Sequence, residues 1–268
     1  MGSRVTRTAS VLGVEIAAVE RDEAADLIIQ AAVDRHPLGA SALAVHGVME
    51  GVADPRLRFR LNDLELVVAD GQPVRWALNW LHGIELDDRV CGPDLMADVC
   101  AAAEDRQLPI FLFGSTEDTL SRLEVGLRTR WPNIVIAGSQ PSRFRPATES
   151  ERAEDIRTIR ESGAAIVLVG LGCPRQEVFA WETRTELSMP VLAVGAAFDF
   201  HAGGLRRAPE WMQRRGLEWF YRLAQEPRRL WRRYLILNPA YLFGITRQRL
   251  GFFQARPPIQ PEHHLRPS

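Results

Sequence analysis

Hydrophobic and polar positions change period repeatedly along the chain. Residues 11–16 (VLGVEI) alternate as a strand does, and 20–34 (ERDEAADLIIQAAVD) carry Ala, Leu and Ile at helical spacing. Short apolar runs follow at 41–45, 64–69, 110–113, 134–137, 165–169 and 191–194, each the length of a buried strand. Helical spacing returns at 73–81, 93–106 and 148–162, the second with proline near its first turn. Strands alternating with such helices predict an α/β domain: a Rossmann-like, mainly parallel sheet with flanking helices. Ligands bind beyond the carboxyl ends of the strands in such sheets. That rule singles out His46, Asp70, 114–115, 170–176 and 195–199.

After residue 204 the pattern changes. Arg is interleaved with Trp, Phe, Tyr and Leu through 205–256, which holds three of the seven Trp: Trp211, Trp219 and Trp231. The segment is read as a helical appendage, broken near Pro227 and Pro239, behind an α/β domain over 1–204. A disordered tail is expected over 257–268. Twelve Arg face only Glu210, Glu218 and Glu226 in the appendage, although the whole chain has a net charge of −1. No Lys occurs anywhere.

The 268 residues are 46% hydrophobic and 25% charged, enough for one sizeable core with an appendage. That composition excludes a disordered chain, a collagen-like repeat and a small disulfide scaffold. Cys91, Cys100 and Cys173 are odd in number and fit a reducing compartment. Neither a secretory h-region nor a run of eighteen apolar residues is present, so secretion and membrane spanning are not expected.

Three constellations carry candidate chemistry. Asp70-Gly71 follows the strand at 64–69, where a carboxylate reaches a crevice as a general base or caps the helix near Pro73. The turn Gly170-Leu171-Gly172-Cys173-Pro174-Arg175-Gln176-Glu177 exposes N–H groups suited to phosphate, or is an ordinary βα turn. It lacks the third glycine of a dinucleotide fingerprint and the Gly-Lys-Ser/Thr of a Walker loop. Arg222, Arg229 and Arg232, spaced by seven and three, share a helical face if the helix survives Pro227. Guanidinium forks suit phosphate, and neighbouring Trp and Phe suit a membrane interface; a solvated face and a nucleic-acid patch are the alternatives. Metal motifs and a Gly-x-Ser-x-Gly elbow are absent from the sequence.

These pieces occur in a recognisable order. LELVVADGQPVRWA, DDRVCGPDLM, PIFLFGS, LVGLGCPRQE, AVGAAFDFHAGGLRRAPEWM and GLEWFYRLAQEPRRLWRRY span most of the chain between about 40 and 235. The sequence resembles the WecG/TagA/CpsF glycosyltransferases, glycosyltransferase family 26. The resemblance implies inverting, metal-independent transfer of a hexose or N-acetylhexosamine from a UDP-sugar to a polyprenyl-diphosphate-linked acceptor. The UDP-sugar is then a substrate, and no cofactor is expected. It further implies Asp70 as the base, with Arg89 and Gln176 contacting donor or acceptor; Gly172 and Arg175 of the glycine turn are read as substrate-binding beside them. Arg222, Arg229 and Arg232 would close over the site and hold diphosphate. A cytoplasmic protein, peripheral on the inner membrane face and without a nucleic-acid partner, is expected; a homo-oligomer is compatible. Two departures stand out: Ala44-Val45-His46 replaces the family's Thr-x-Asn, making His46 a substitute contact or an extra titrating group, and the Lys before Arg-Ala-Pro is missing. A nucleotide-sugar hydrolase or phosphorylase, or a non-catalytic assembly scaffold, is the alternative reading.

Overall fold

The computed structural model describes residues 6–261. A hairpin of β1 (Thr8–Val11) and β2 (Val14–Ala17) comes first. There follow α1 (Arg21–Val33), β3 (Leu38–Leu43), α2 (Val45–Ala53), α3 (Pro55–Asp63), β4 (Leu66–Ala69), α4 (Gln72–His82) and α5 (Gly92–Asp105). Next are β5 (Ile110–Gly114), α6 (Glu117–Arg130), β6 (Ile136–Gln140), α7 (Glu149–Glu161), β7 (Ile166–Gly170), α8 (Arg175–Leu187), β8 (Pro190–Ala193) and α9 (Ala197–His201). The C-terminal segment holds α10 (Glu210–Arg214), α11 (Glu218–Gln225), α12 (Pro227–Arg232), a π-helical turn (Arg233–Leu237) and α13 (Asn238–Arg249).

Six parallel strands form one sheet in the order β4-β3-β8-β7-β5-β6, as the alternation predicts. Its central strands are apolar throughout because helices cover both faces. Along β7, Ile166 and Leu168 pack on the face of α1, α5, α6 and α9, while Val167 and Val169 pack toward α2, α3, α4, α7 and α8. Each such buried side chain contributes about 1.5–3 kcal/mol.

Residues 11–16 do not form one strand. Leu12 and Gly13 have φ of 52° and 84°, the positive pair that a two-residue hairpin turn demands, so the alternating run is folded back on itself. The C-terminal segment is anchored on the domain. Tyr241 and Ile245 of α13 are buried in the second face's core, and Tyr241 Oη donates to Pro73 O at 3.1 Å. Gln248 grips the hairpin, accepting from Leu12 N at 2.7 Å and donating to Ser10 O at 2.8 Å.

The break expected near Pro227 occurs, with Glu226 non-helical at φ −130°, ψ 57°. The one expected near Pro239 does not, since helical turns run on from α12 into α13. The wider π-helical turn before Pro239 gives room where an α-helical carbonyl would meet its ring, and proline has no N–H to lose. Of the tail, residues 257–261 are described. They lack helix and strand, and Ile259 N donates to Pro55 O at 3.1 Å.

Candidate active site

β3 leads into α2 on one face of the sheet and β8 into α9 on the other, so a crevice opens beyond their carboxyl ends. The cleft encloses about 1300 Å³, part of it open to solvent, and the ends of β3, β4, β7 and β8 supply its floor. Gly216, Glu218, Trp219, Arg222, Tyr234 and Asn238 form its other wall. The segment outside the sheet therefore completes the site.

Asp70 stands on the floor. Gly71, at φ 92°, turns the chain out of β4 and is itself the N-cap of α4; no side chain caps that helix. The capping alternative for Asp70 is thus not what the fold uses. Its carboxylate instead accepts the backbone N–H of Gly92. Only glycine lets α5 begin so close to the sheet, because a Cβ at residue 92 would sit 2.8 Å from Val194 O. Burial pushes Asp70 up to about 6, against the pull of the Arg89 and Arg222 guanidiniums and with Glu218 adding to the rise. Among the described residues Asp70 forms no ion pair within 4.0 Å. Beside it, burial and the Asp70 carboxylate push the Cys91 thiol well up, and Cys91 donates to Asp94 Oδ2 at 2.9 Å.

Among the helices that bring their first turns to the cleft are α2, α4, α5 and α8. None has a side-chain cap; their N-cap residues are Ala44, Gly71, Cys91 and Pro174. Elsewhere α3, α6 and α7 are capped by Asp54, Thr116 and Thr148, while α1 starts behind Glu20 without a side-chain cap. The positive dipole ends of these four helices make the cleft a seat for anions.

Two buried amides add a different kind of group. Gln72 donates Nε2 to Asp88 Oδ1 at 2.8 Å, and Gln176 donates Nε2 to Glu177 Oε1 at 2.9 Å. These carboxylate acceptors fix each amide's orientation and leave both Oε1 atoms without a partner. Such acceptors match the hydroxyl groups of a sugar. Glu177, also held by Ser41 Oγ at 3.1 Å, is raised by burial and braces Gln176.

Of the residues expected from the sequence, Asp70, His46, Arg89, Gly172, Gln176 and Arg222 line this cleft together. His46 pairs with Glu50 at 3.5 Å. Arg89 pairs with Glu218 across the cleft, the two side chains only 9% and 15% exposed. Arg222 lies 3.7 Å from Glu226 and over the Phe200 ring at 5.7 Å.

Arg175 is not among the lining residues. One step along α8 from Gln176, it is rotated about 100° away; its Nη2 donates to Leu171 O at 2.9 Å, and it borders a separate hollow beside Phe113 and Phe179. Arg222, Arg229 and Arg232 do not share a helix, because the break at Glu226 puts the first on α11 and the others on α12. The side chains of Arg229 and Arg232 lie outside the described part of the structure. Asp199 and His201 stay out of the cleft: Asp199 O accepts from Gly204 N at 2.8 Å, and His201 Nε2 meets Pro93 O at 2.9 Å.

Gln72, Glu218, Trp219, Tyr234 and Asn238 are cleft residues that the sequence reading missed. Two signals pointed to the site: helix starts without Ser, Thr, Asp or Asn at the cap, and glutamates placed singly in an arginine-rich segment. Among the described residues no three His, Cys, Asp or Glu side chains gather as metal ligands. No helix among them is long and apolar enough to cross a membrane. In comparison with known protein families, the model of the Glycosyl transferase WecG/TagA/CpsF family matches residues 9–255, which takes in the whole six-stranded sheet and every residue of the cleft.

Proposed function

Because the chain belongs to the WecG/TagA/CpsF family of glycosyltransferases, we propose that its cleft moves a hexose or N-acetylhexosamine from a UDP-sugar to a polyprenyl-diphosphate-linked glycan, with inversion. Membership itself gives the coarser statement: the protein is a glycosyltransferase of cell-surface polysaccharide synthesis, with a nucleotide-sugar donor and a glycan acceptor.

In this scheme the Asp70 carboxylate takes the proton of an acceptor hydroxyl as that oxygen bonds to the anomeric carbon. The bond from that carbon to the diphosphate breaks on the opposite face, and UDP leaves with the electron pair. Charge growing on the diphosphate meets the uncapped helix starts and the Arg222 guanidinium, fixed positive groups that do the work a metal ion does elsewhere. Glu218, the carboxylate that acts on Asp70 from α11, is bound to Arg89.

A polyprenyl acceptor requires the protein to work at a membrane surface. The C-terminal helices expose Phe220, Trp231, Leu235, Ile236, Leu242 and Phe243, each about half exposed or more, with Arg228, Arg247 and Arg249 among them. Apolar side chains edged by guanidiniums suit an anionic lipid interface.

The observation that carries this reading is Asp70, a carboxylate that neither caps a helix nor joins an ion pair and that is raised to about 6 inside an anion-attracting cleft. The test is transfer by the wild type and Asp70→Asn from a panel of UDP-sugars to one prenyl-diphosphate glycan. A loss of about 10²–10⁴ in turnover is expected. Near-wild-type turnover removes the base assignment, and sugar release without acceptor at the same rate makes the protein a nucleotide-sugar hydrolase.

A further inference from the structure

Asp70 is surrounded by more charge than a lone base needs, and the charges are apportioned. Arg89 reaches the cleft from the loop before α5, Glu218 and Arg222 from α11, and His46 from α2. The Cys91 thiol and the Gly92 N–H lie against Asp70 from the start of α5, and Asp70 N donates to Leu43 O of β3 at 3.1 Å. Arg89 is paired with Glu218, and Arg222 lies 3.7 Å from Glu226. His46 Nδ1 lies 3.5 Å from Glu50 Oε1. Both carboxylates that hold the arginines belong to α11 or its end. A carboxylate gripped by a guanidinium is a poor base, since the pairing stabilises its anion.

We propose that Glu218 is a positioning residue: by holding the Arg89 guanidinium it keeps that cation from closing on Asp70, so the base is free only while α11 is seated over the cleft. The inference rests on Asp70 being the base and adds a second carboxylate that governs it. Seating α11 thereby does more than close the site. It exchanges the partner of Arg89 and releases Asp70 for proton transfer. Among the groups acting on Asp70, Glu218 is the carboxylate that raises it and Arg89 the strongest cation that lowers it, which is the balance such an exchange requires. α11 is held in place by reciprocal bonds, Arg206 N to Gln225 Oε1 at 3.2 Å and Gln225 Nε2 to Arg206 O at 3.0 Å, so its presence is separable from the pair it carries.

The test follows the Asp70 carboxyl directly by carbon-13 NMR titration of the full chain, assigned with Asp70→Asn, alongside the pH profile of transfer. In Glu218→Gln the Asp70 midpoint should fall by about one pH unit or more as Arg89 moves to it. Turnover at neutral pH should fall about tenfold, with the donor KM changed less than about threefold. Glu218→Asp should keep the wild-type midpoint. In Arg89→Gln/Glu218→Gln the cation that Glu218 holds is gone as well, and the midpoint should return to the wild-type value or above it. An unmoved midpoint in Glu218→Gln overturns the proposal, as does a double variant as low as the single one, the outcome of a merely structural role. If the midpoints move as described but no variant, the wild type included, transfers sugar, the positioning role stands and the functional reading falls.

Discussion

Asp70 shows how one side chain takes its chemistry from its surroundings. An aspartate after a strand and before Gly-x-Pro serves equally as a helix cap, and the local sequence does not separate the two roles. The fold separates them by using Gly71 as the cap and turning the carboxyl toward Gly92 N–H. Because the folded protein raises this group from 3.8 to about 6, it binds more protons than the unfolded chain between those values. Stability contributed by protonated Asp70 is therefore full below about 3.8 and is lost as pH rises through about 6. Chemical denaturation should find Asp70→Asn more stable than the wild type at pH 7, by about 1–2 kcal/mol after allowance for solvent at the cleft, and the gap should close at pH 4. Turnover of the wild type should climb with pH and level off above about 6, since the base must be ionised. A turnover profile flat from pH 5 to 8 would count against an ionised Asp70 in the rate-limiting step.

Among the elements, the C-terminal helices departed most from expectation. Their arginine spacing reads as one face of one helix, but Pro227 divides them and Pro239 does not. Proline marks a break only where the backbone cannot widen, and whether it widens is decided by what packs around it. The connection into these helices is fastened at Arg207, whose Nη2 donates to Asp94 Oδ2 at 2.9 Å and to Gln213 Oε1 at 3.2 Å. Asp94 is held ionised by that pair despite burial, and Arg21 approaches it at 3.8 Å. Arg207→Ala leaves Asp94 short of its main partner, at a cost of about 1–3 kcal/mol. Amide hydrogen exchange should then quicken about tenfold or more through 206–226, while β7 and β8 keep their protection. Uniform protection in both proteins would mean that Arg207 does not fasten the segment.

For the whole molecule, the candidate site and the exposed apolar surface belong to the same C-terminal wall. Trp219 and Arg222 of α11 face the cleft while Phe220 faces solvent. A lipid-borne acceptor would thus be met by the wall that completes the site. Leu242 and Phe243 are 61% and 66% exposed, so Leu242→Asp/Phe243→Asp should leave the fold intact. Each apolar side chain buried in lipid is worth about 1.5–3 kcal/mol, so co-sedimentation with anionic vesicles should fall at least tenfold. Transfer to a short, water-soluble acceptor should be unaffected, and unchanged sedimentation would remove the docking role. Much of this protein was legible in one dimension. The β-strand and helix periods of 166–170 and 149–161 report burial on a sheet and against it, and burial is written in residue type. Asp70, Gln176 and Arg222 were findable because strand ends and arginine-rich helices are where such chemistry concentrates. Only the tertiary structure decided that Gln176 enters the cleft while Arg175 turns away, and that Glu218, 148 positions from Asp70 in the chain, stands against Arg89. Helix rotation and long-range electrostatic pairing depend on where separate elements are docked, and no local pattern of hydrophobic and polar residues carries that information.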